Sequence, residues 1–334
     1  MKYLSEIGEF GFIDKIVAHH AQDKKDCVSI GDDCSVEPVD EKLARLVTTD
    51  LLVENVHFLK KAIRARELGY KALAVNFSDI AAMGGQPKNI HISVAFPDKT
   101  QVDWLEDFYS GIHELAEKYD AGMMGGDTTS SPDNIIINIV VSGIIERKKI
   151  KYRSGAQAGD IVCVNKHVGD SAAGLKLILD EIDIESNDKK YLIKAHNHPV
   201  AQIKEGQFLA EHKAVHAMLD VSDGIGSDIK HIMERSNKGA RLNLDKIPIS
   251  QQLQNEAEKQ NWNALDLAIN GGEDYCLLFT VDSDKFDEFN QRYQKKFDQP
   301  LYNIGTIKEK KYGLRYFKNG KQQKFTGHGF DHFH

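Results

Sequence analysis

Five short acidic motifs recur along this chain of 334 residues: Gly31-Asp32-Asp33, Thr48-Thr49-Asp50, Ser78-Asp79, Gly125-Gly126-Asp127 and Asp220-Val221-Ser222-Asp223. Each sets carboxylates beside small residues. An ionised carboxylate taken out of water is costly unless a cation or hydrogen-bond donors answer it. Several of them converging would make a hard, all-oxygen site of the kind Mg2+ prefers, shared with substrate phosphates. The chemistry to expect is magnesium-dependent and acts on phosphate.

Asp79 is the sharpest single position. From Glu67 to Met83 the chain is apolar on nearly every face, with Leu68, Leu73, Val75, Phe77 and Ile80, the pattern of a buried helix. Asn76, Ser78 and Asp79 interrupt it with no surface reason to be there. A hydrogen-bonded core aspartate is the bland alternative, but buried acids without a partner are rare. Thr48-Thr49-Asp50 reads as a strand end, where α/β sheets place ligands, and a hydroxyl with a carboxylate suits Mg2+. Gly125-Gly126-Asp127, read as a glycine turn, offers bare backbone N–H groups to a phosphate. Ser222 or Asp223 could equally be the N-cap of the helix that follows. Singly each motif is modest; their joint occurrence carries the reading.

Other phosphate chemistries are excluded by what is missing. The chain has no G-x-x-x-x-G-K-[ST] loop, no protein-kinase H-R-D or D-F-G set and no dinucleotide fingerprint. Its histidines lack zinc spacing. The four cysteines (Cys27, Cys34, Cys163, Cys276) lack any Cys-x-x-Cys pair, which argues against a zinc ribbon or a disulfide framework and fits a reducing cytosol. A net charge of −7 provides no basic field for nucleic acid. The start of the chain lacks the apolar core of a signal peptide, and the longest apolar stretch, Ile135 to Ile145, is too short to span a bilayer. A cytoplasmic protein is expected, with no membrane or nucleic-acid partner.

The elements that must position these residues follow from periodicity. Helical spacing (Ile7, Phe10, Ile13, Val17) predicts a first helix from Ile7 to His20. Leu43 to Thr49 reads as a strand ending on Asp50, Glu67 to Met83 as the buried helix, Ile90 to Phe96 as a strand and Trp104 to Tyr119 as an amphipathic helix. A short strand from Gly122 ends in the glycine turn at Gly126, and Asn134 to Ile145 is a long strand. The polar, basic run from Glu146 to Gly155 marks a boundary, giving domains 1–150 and 151–334. The second half reads as a strand (Asp160–Asn165), a helix (Gly169–Leu179), a strand (Ala217–Val221), a helix (Ile225–Arg235), then strands around Ala240–Leu244, Cys276–Val281 and Leu301–Ile307. The alternation suggests α/β or α+β organisation.

Taken in order, several motifs resemble the thiamine-monophosphate kinase family. They are Gly31-Asp32-Asp33, Thr48-Thr49-Asp50, Asn55-Val56-His57-Phe58, the run from Lys71 to Gly84, Gly125 to Thr129, Arg153-Ser154-Gly155-Ala156, Gly169 to Leu175, Asp220 to Gly224, Gly271-Gly272-Glu273-Asp274-Tyr275 and Gly329 to Phe333. The resemblance implies a two-domain aminoimidazole-ribonucleotide-synthetase-like fold. Residues 1–150 would form an α/β, ATP- and Mg2+-binding domain that dimerises through its sheet, and 151–334 an α+β domain. It further implies transfer of the γ-phosphate of ATP to thiamine monophosphate, with several Mg2+ ions and K+ as a further candidate ion. By position, the implied metal ligands are Asp33, Thr48, Thr49, Asp50, Asp79, Asp127, Asp220 and Asp223. Gly126, Asp127, Arg153 and Ser222 match ATP positions, and His57, Glu273 and Phe330 match positions near thiamine monophosphate; the family often has Tyr or Trp where Phe330 stands. The catalytic set is Asp50, Asp79, Asp127 and Arg153. The residues themselves do not choose between Asp32 and Asp33; the resemblance selects Asp33. Arg153 lies in the polar linker, so its loss is expected to cost phosphate binding more than stability. Alternatives are another ATP-using member of that superfamily, such as aminoimidazole ribonucleotide synthetase, a non-catalytic Mg2+–nucleotide sensor, and a plain dimerisation domain. A sensor has no need of every ligand, and a plain dimerisation domain leaves Asp50 and Asp79 unexplained.

Overall fold

The computed structural model describes residues 3–6, 8, 11–13, 15, 16 and 26–325. Of the segment expected as a first helix, only positions 8, 11–13, 15 and 16 are described, and all are helical. The first half builds a five-stranded sheet from β1 (Ser35–Pro38), β2 (Leu43–Val53), β3 (Gln86–Phe96), β4 (Gly122–Ser130) and β5 (Ile136–Glu146), in the order β1-β2-β5-β3-β4. Only β3 and β4 run parallel. Burial along β2 and β5 alternates with period two, so Ala44, Leu46, Thr48 and Leu52, with Ile137, Ile139 and Val141, face inward. Against that face lie helices α1 (Ala65–Ala82) and α2 (Val102–Lys118). They cross at a glycine pair: a Cβ on Gly69 would stand 1.9 Å from the Phe108 carbonyl oxygen, and one on Gly111 1.9 Å from that of Arg66.

The second half forms a seven-stranded sheet from β6 (Ile161–Val164), β7 (Val215–Asp220), β8 (Lys238–Asn243), β9 (Leu277–Val281), β10 (Tyr302–Glu309), β11 (Leu314–Lys318) and β12 (Lys321–Gln323), ordered β12-β11-β8-β10-β6-β9-β7. Its helices are α3 (Asp170–Leu179), α4 (Asn187–Asn197), α5 (Ile203–Glu211), α6 (Ile225–Ser236), α7 (Gln251–Gln260), α8 (Ala264–Asn270) and α9 (Phe286–Phe297). The largest apolar cluster runs across both halves, joining Leu73, Ile90 and Ile139 to Leu209, Met218 and Phe279. This accounts for α1. It packs on β2 and β5 from one side and on α5 and β7 from the other, so from Leu68 onward every residue except half-buried Asp79 is buried.

Two expected strand ends fall elsewhere. β2 continues three residues past Asp50, because antiparallel pairing with β5 extends to Val53 opposite Ile136. Gly125-Gly126 is no turn. Both glycines lie inside β4, where parallel pairing with β3 sets Gly126 beside Ile92 and Asp127 beside Ser93.

Candidate active site

Three acids meet where the two halves touch. Asp33 comes from the loop before β1, Asp79 from the last turn of α1 and Asp220 from the end of β7, and one oxygen of each lies within 4.8 Å of the others. Two hydroxyls answer two of them: Thr48 Oγ1 donates to Asp79 Oδ2, and Ser78 Oγ donates to Asp220 Oδ2 at 2.5 Å. Arg153 answers the third, with Nη2 2.6 Å and Nε 3.2 Å from Asp33 Oδ1, while its backbone N–H donates to Asp32 Oδ1 at 2.6 Å. Asp33 and Asp32 thus divide their work: one carboxylate faces the other acids and one holds the linker.

This set carries more negative charge than its donors can hold. Asp33 Oδ2 and Asp50 Oδ2 are buried without any hydrogen bond. Burial, then the charges of Asp50, Asp220 and Asp33, drive the Asp79 carboxyl well above the ordinary carboxylate range. Burial and the charge of Asp33 raise Asp220 to about 7, and burial raises Asp50 to about 6. Burial also raises Asp33, against the pull of Arg153. Two like charges about 5 Å apart repel by roughly 3 kcal/mol at an effective dielectric near 20, more than one hydroxyl donor returns. The cluster must take up protons or a cation. An all-oxygen, hard donor set with unsatisfied lone pairs fits Mg2+.

A pH dependence follows for the metal-free protein. The folded carboxyls at about 6 and about 7 keep protons that the unfolded chain has released above pH 4. Their contribution to stability is therefore full below about pH 4 and is lost as pH rises through 6 and 7. Thermal melts in a chelator are expected to fall between pH 5 and pH 8 by more than about 1.4 kcal/mol, the worth of one pKa unit. Asp220→Asn should flatten that slope; an unchanged slope would show that the titrating groups lie elsewhere.

The remaining expected residues stand apart from the three acids. Thr49 and Asp127 are exposed; Thr49 Oγ1 accepts from Asn138 Nδ2 at 2.9 Å, and Asp127 Oδ1 accepts from the Thr128 N–H at 2.9 Å. Gly126 is exposed on β4. Asp223 follows β7, and its N–H donates to Asp228 Oδ2 at 3.3 Å. The Ser222 carbonyl accepts from the Glu273 N–H at 2.7 Å. His57 Nδ1 accepts from the Val53 N–H at 3.0 Å, which leaves the proton of a neutral ring on Nε2. Phe330 lies outside the described residues.

Arg153 corrects the expectation of a loosely held linker residue. Its side chain is only 23% exposed, and the carboxylate it binds 1%. Three residues escaped the reading. Asp228 is buried in the first turn of α6, its carboxyl raised first by burial and then by Asp223 and Asp220. Lys71 is fully buried in α1, with Nζ 3.0 Å from Glu273 Oε2 and 3.4 Å from His196 Nε2. The signal for Lys71 was present: a charge inside an all-apolar helix is as anomalous as Asp79. His196 gave none.

The family model described as "AIR synthase related protein, N-terminal domain" matches residues 31–145, and that of the corresponding C-terminal domain matches 157–316. A thiamine-monophosphate kinase of Buchnera aphidicola subsp. Acyrthosiphon pisum is 37% identical over 335 residues, covering 100% of both chains. The chain belongs to the thiamine-monophosphate kinase family. A thiamine-monophosphate kinase of Haemophilus influenzae is 38% identical over 92% of each chain. A solved structure described as AaThiL complexed with AMPPCP and TMP superposes with a TM-score of 0.86 at 34% identity, covering 99% of each chain. That superposition extends over both halves of the chain. Among the described residues no helix is long and apolar enough to cross a membrane.

Proposed function

We propose that this chain transfers the γ-phosphoryl group of ATP directly to the phosphate of thiamine monophosphate, yielding thiamine diphosphate and ADP. A phosphate oxygen of the acceptor forms the new P–O bond as the bond between the γ-phosphorus and the β,γ-bridging oxygen breaks. The observation that carries this reading is the meeting of Asp33, Asp79 and Asp220 beside Arg153. The acceptor phosphate has its second pKa near 6, so it attacks without needing a general base. The difficulty is to bring two anions together in line, which calls for positive charge and positioning.

Asp33, Thr48, Asp50, Asp79 and Asp220 would hold Mg2+, with Thr49, Asp127 and Asp223 as ligands of further ions, and K+ as an additional candidate. Bound Mg2+ would neutralise phosphate charge and orient the β- and γ-phosphates. The chain's own residues do the rest. Thr48 and Ser78 aim the carboxylates of Asp79 and Asp220, and Asp33 aims the Arg153 guanidinium, which we place against the ATP phosphates with Gly126, Asp127 and Ser222. His57, Glu273 and Phe330 serve thiamine monophosphate. In this reading residues 1–150 form the ATP- and Mg2+-binding, dimerising domain and 151–334 an α+β domain, with ATP held between them. The compartment is the cytoplasm, consistent with four free thiols. The test is an assay of ATP, Mg2+ and thiamine monophosphate: thiamine diphosphate and ADP should appear in equal amounts, and ADP without thiamine diphosphate would refute the assignment.

A homodimer belongs to the same reading. The sheet face turned away from α1 and α2 carries Val47, Val140 and Ile144, with Leu51 51% exposed, and the edge strand β4 is exposed throughout, Met124 at 62%. An apolar face beside an unpaired edge marks an association surface. Light scattering at micromolar concentration is expected to give twice the chain mass; an active monomer would exclude this surface from that role.

A further inference from the structure

We propose that Lys71 is a positioning residue for the acceptor substrate, holding the Glu273 carboxylate in place across the junction of the two halves. The inference rests on the phosphoryl-transfer reading above, which places Glu273 at thiamine monophosphate. Lys71 Nζ lies 3.0 Å from Glu273 Oε2, and His196 Nδ1 lies 3.1 Å from the same oxygen. The His196 ring is shared further, its Nδ1 also 3.1 Å from Ser171 Oγ on α3. Both contacts use Oε2, and the side chain is 27% exposed. Burial alone would raise this carboxyl; the Lys71 charge and the bonds from His196 and Lys71 outweigh it and hold it near 2. A permanent anion of this kind suits a substrate whose thiazolium ring is a permanent cation and whose aminopyrimidine donates hydrogen bonds.

The backbone shows how much the site invests in that carboxylate. Glu273 has φ +63° and Tyr275 φ +47°, left-handed conformations that side chains of this size rarely adopt. Such conformations persist only where surroundings over-determine them. Here the Glu273 N–H donates to the Ser222 carbonyl at 2.7 Å, the Tyr275 N–H to the Val221 carbonyl at 2.9 Å, and Asp274 Oδ2 accepts from the Gly169 N–H at 2.7 Å. Successive side chains of one short loop therefore grip different elements: Asp274 the start of α3, Glu273 the lysine of α1. Lys71 and Ser78 sit two helical turns apart on α1. Ser78 bonds Asp220 as Lys71 bonds Glu273, so a single stripe of α1 orients both the metal cluster and the acceptor carboxylate.

The test uses the full chain as Lys71→Met, Glu273→Gln, Lys71→Arg and the Lys71→Met/Glu273→Gln pair. KM for each substrate is measured with Mg2+ present, and melting temperature beside it. Lys71→Met is expected to raise the KM for thiamine monophosphate roughly 10- to 100-fold, the worth of one charge-assisted contact, while the KM for ATP moves less than about threefold. Glu273→Gln should do the same, and the pair should be no worse than either single change, because both act through one carboxylate. Lys71→Arg, which keeps the charge, should recover most of the loss. Lys71→Met alone leaves Glu273 uncompensated, whereas the pair removes both charges and is expected to melt near wild type. A wild-type KM for thiamine monophosphate in folded Lys71→Met, effects that multiply in the pair, or both KM values rising together would overturn the proposal. A wild-type chain that makes no thiamine diphosphate would instead defeat the phosphoryl-transfer reading on which it rests.

Discussion

Asp79→Asn is expected to lose phosphoryl transfer by several orders of magnitude while the metal-free protein stays as stable as wild type or becomes more so. Asn keeps the shape of the side chain and an oxygen that can still accept the Thr48 hydroxyl. What it removes is a charge that Asp50, Asp220 and Asp33 oppose and burial penalises. Without a cation, burial and the neighbouring carboxylates favour the protonated form of this carboxyl, which an amide resembles. With Mg2+ the balance inverts, because a hard cation needs the anion. Product formation and thermal melts on one preparation decide the matter. Near wild-type turnover would remove Asp79 from the site; activity lost in proportion to unfolding would make it a structural residue.

Arg153→Ala should damage both kinetics and stability. One charge-assisted phosphate contact is worth about 1.5–3 kcal/mol, so ATP use should fall roughly 10- to 100-fold. The sequence, with Arg153 in a polar linker, suggested little packing to lose. Its ion pair with the almost fully buried Asp33 carboxylate changes that expectation. Removing one partner of a buried pair costs up to about 3–5 kcal/mol, and less where the orphaned acid takes up a proton. The melting temperature of the metal-free variant should therefore drop clearly, and Asp33→Asn added to it should restore most of the loss. Unchanged kinetics would return Arg153 to a purely structural pairing with Asp33.

Asp79 was legible because its context was extreme: an acid far inside a helix whose body has no polar face. The same logic reaches Lys71, but a lysine draws less notice, since its long stem so often carries its charge out to water. Asp33 and Asp220 were legible as motifs, but their meeting was not. Ser78 and Asp220 are 142 residues apart, and no local pattern encodes a contact made by docking two halves. The long strands and buried helices showed their periods. Helices such as α7 (Gln-Gln-Leu-Gln-Asn-Glu-Ala-Glu-Lys-Gln) bury little beyond Leu253, Glu256 and Ala257, too narrow a stripe to stand out. The glycines of β4 read as a turn because glycine breaks isolated segments, whereas β3 supplies the partner that keeps them extended.

The most direct test of the acidic cluster as a cation site is the melting temperature of the chelator-treated protein at pH 8 as Mg2+ alone is added. At that pH the carboxyls at about 6 and about 7 are ionised, and their repulsion is greatest. The wild-type melting temperature is expected to climb with Mg2+. The Asp79→Asn/Asp220→Asn double variant should start at or above the metal-free wild type and show no climb. Equal responses in the two proteins, or no response of the wild type at millimolar Mg2+, would contradict a metal role for these acids.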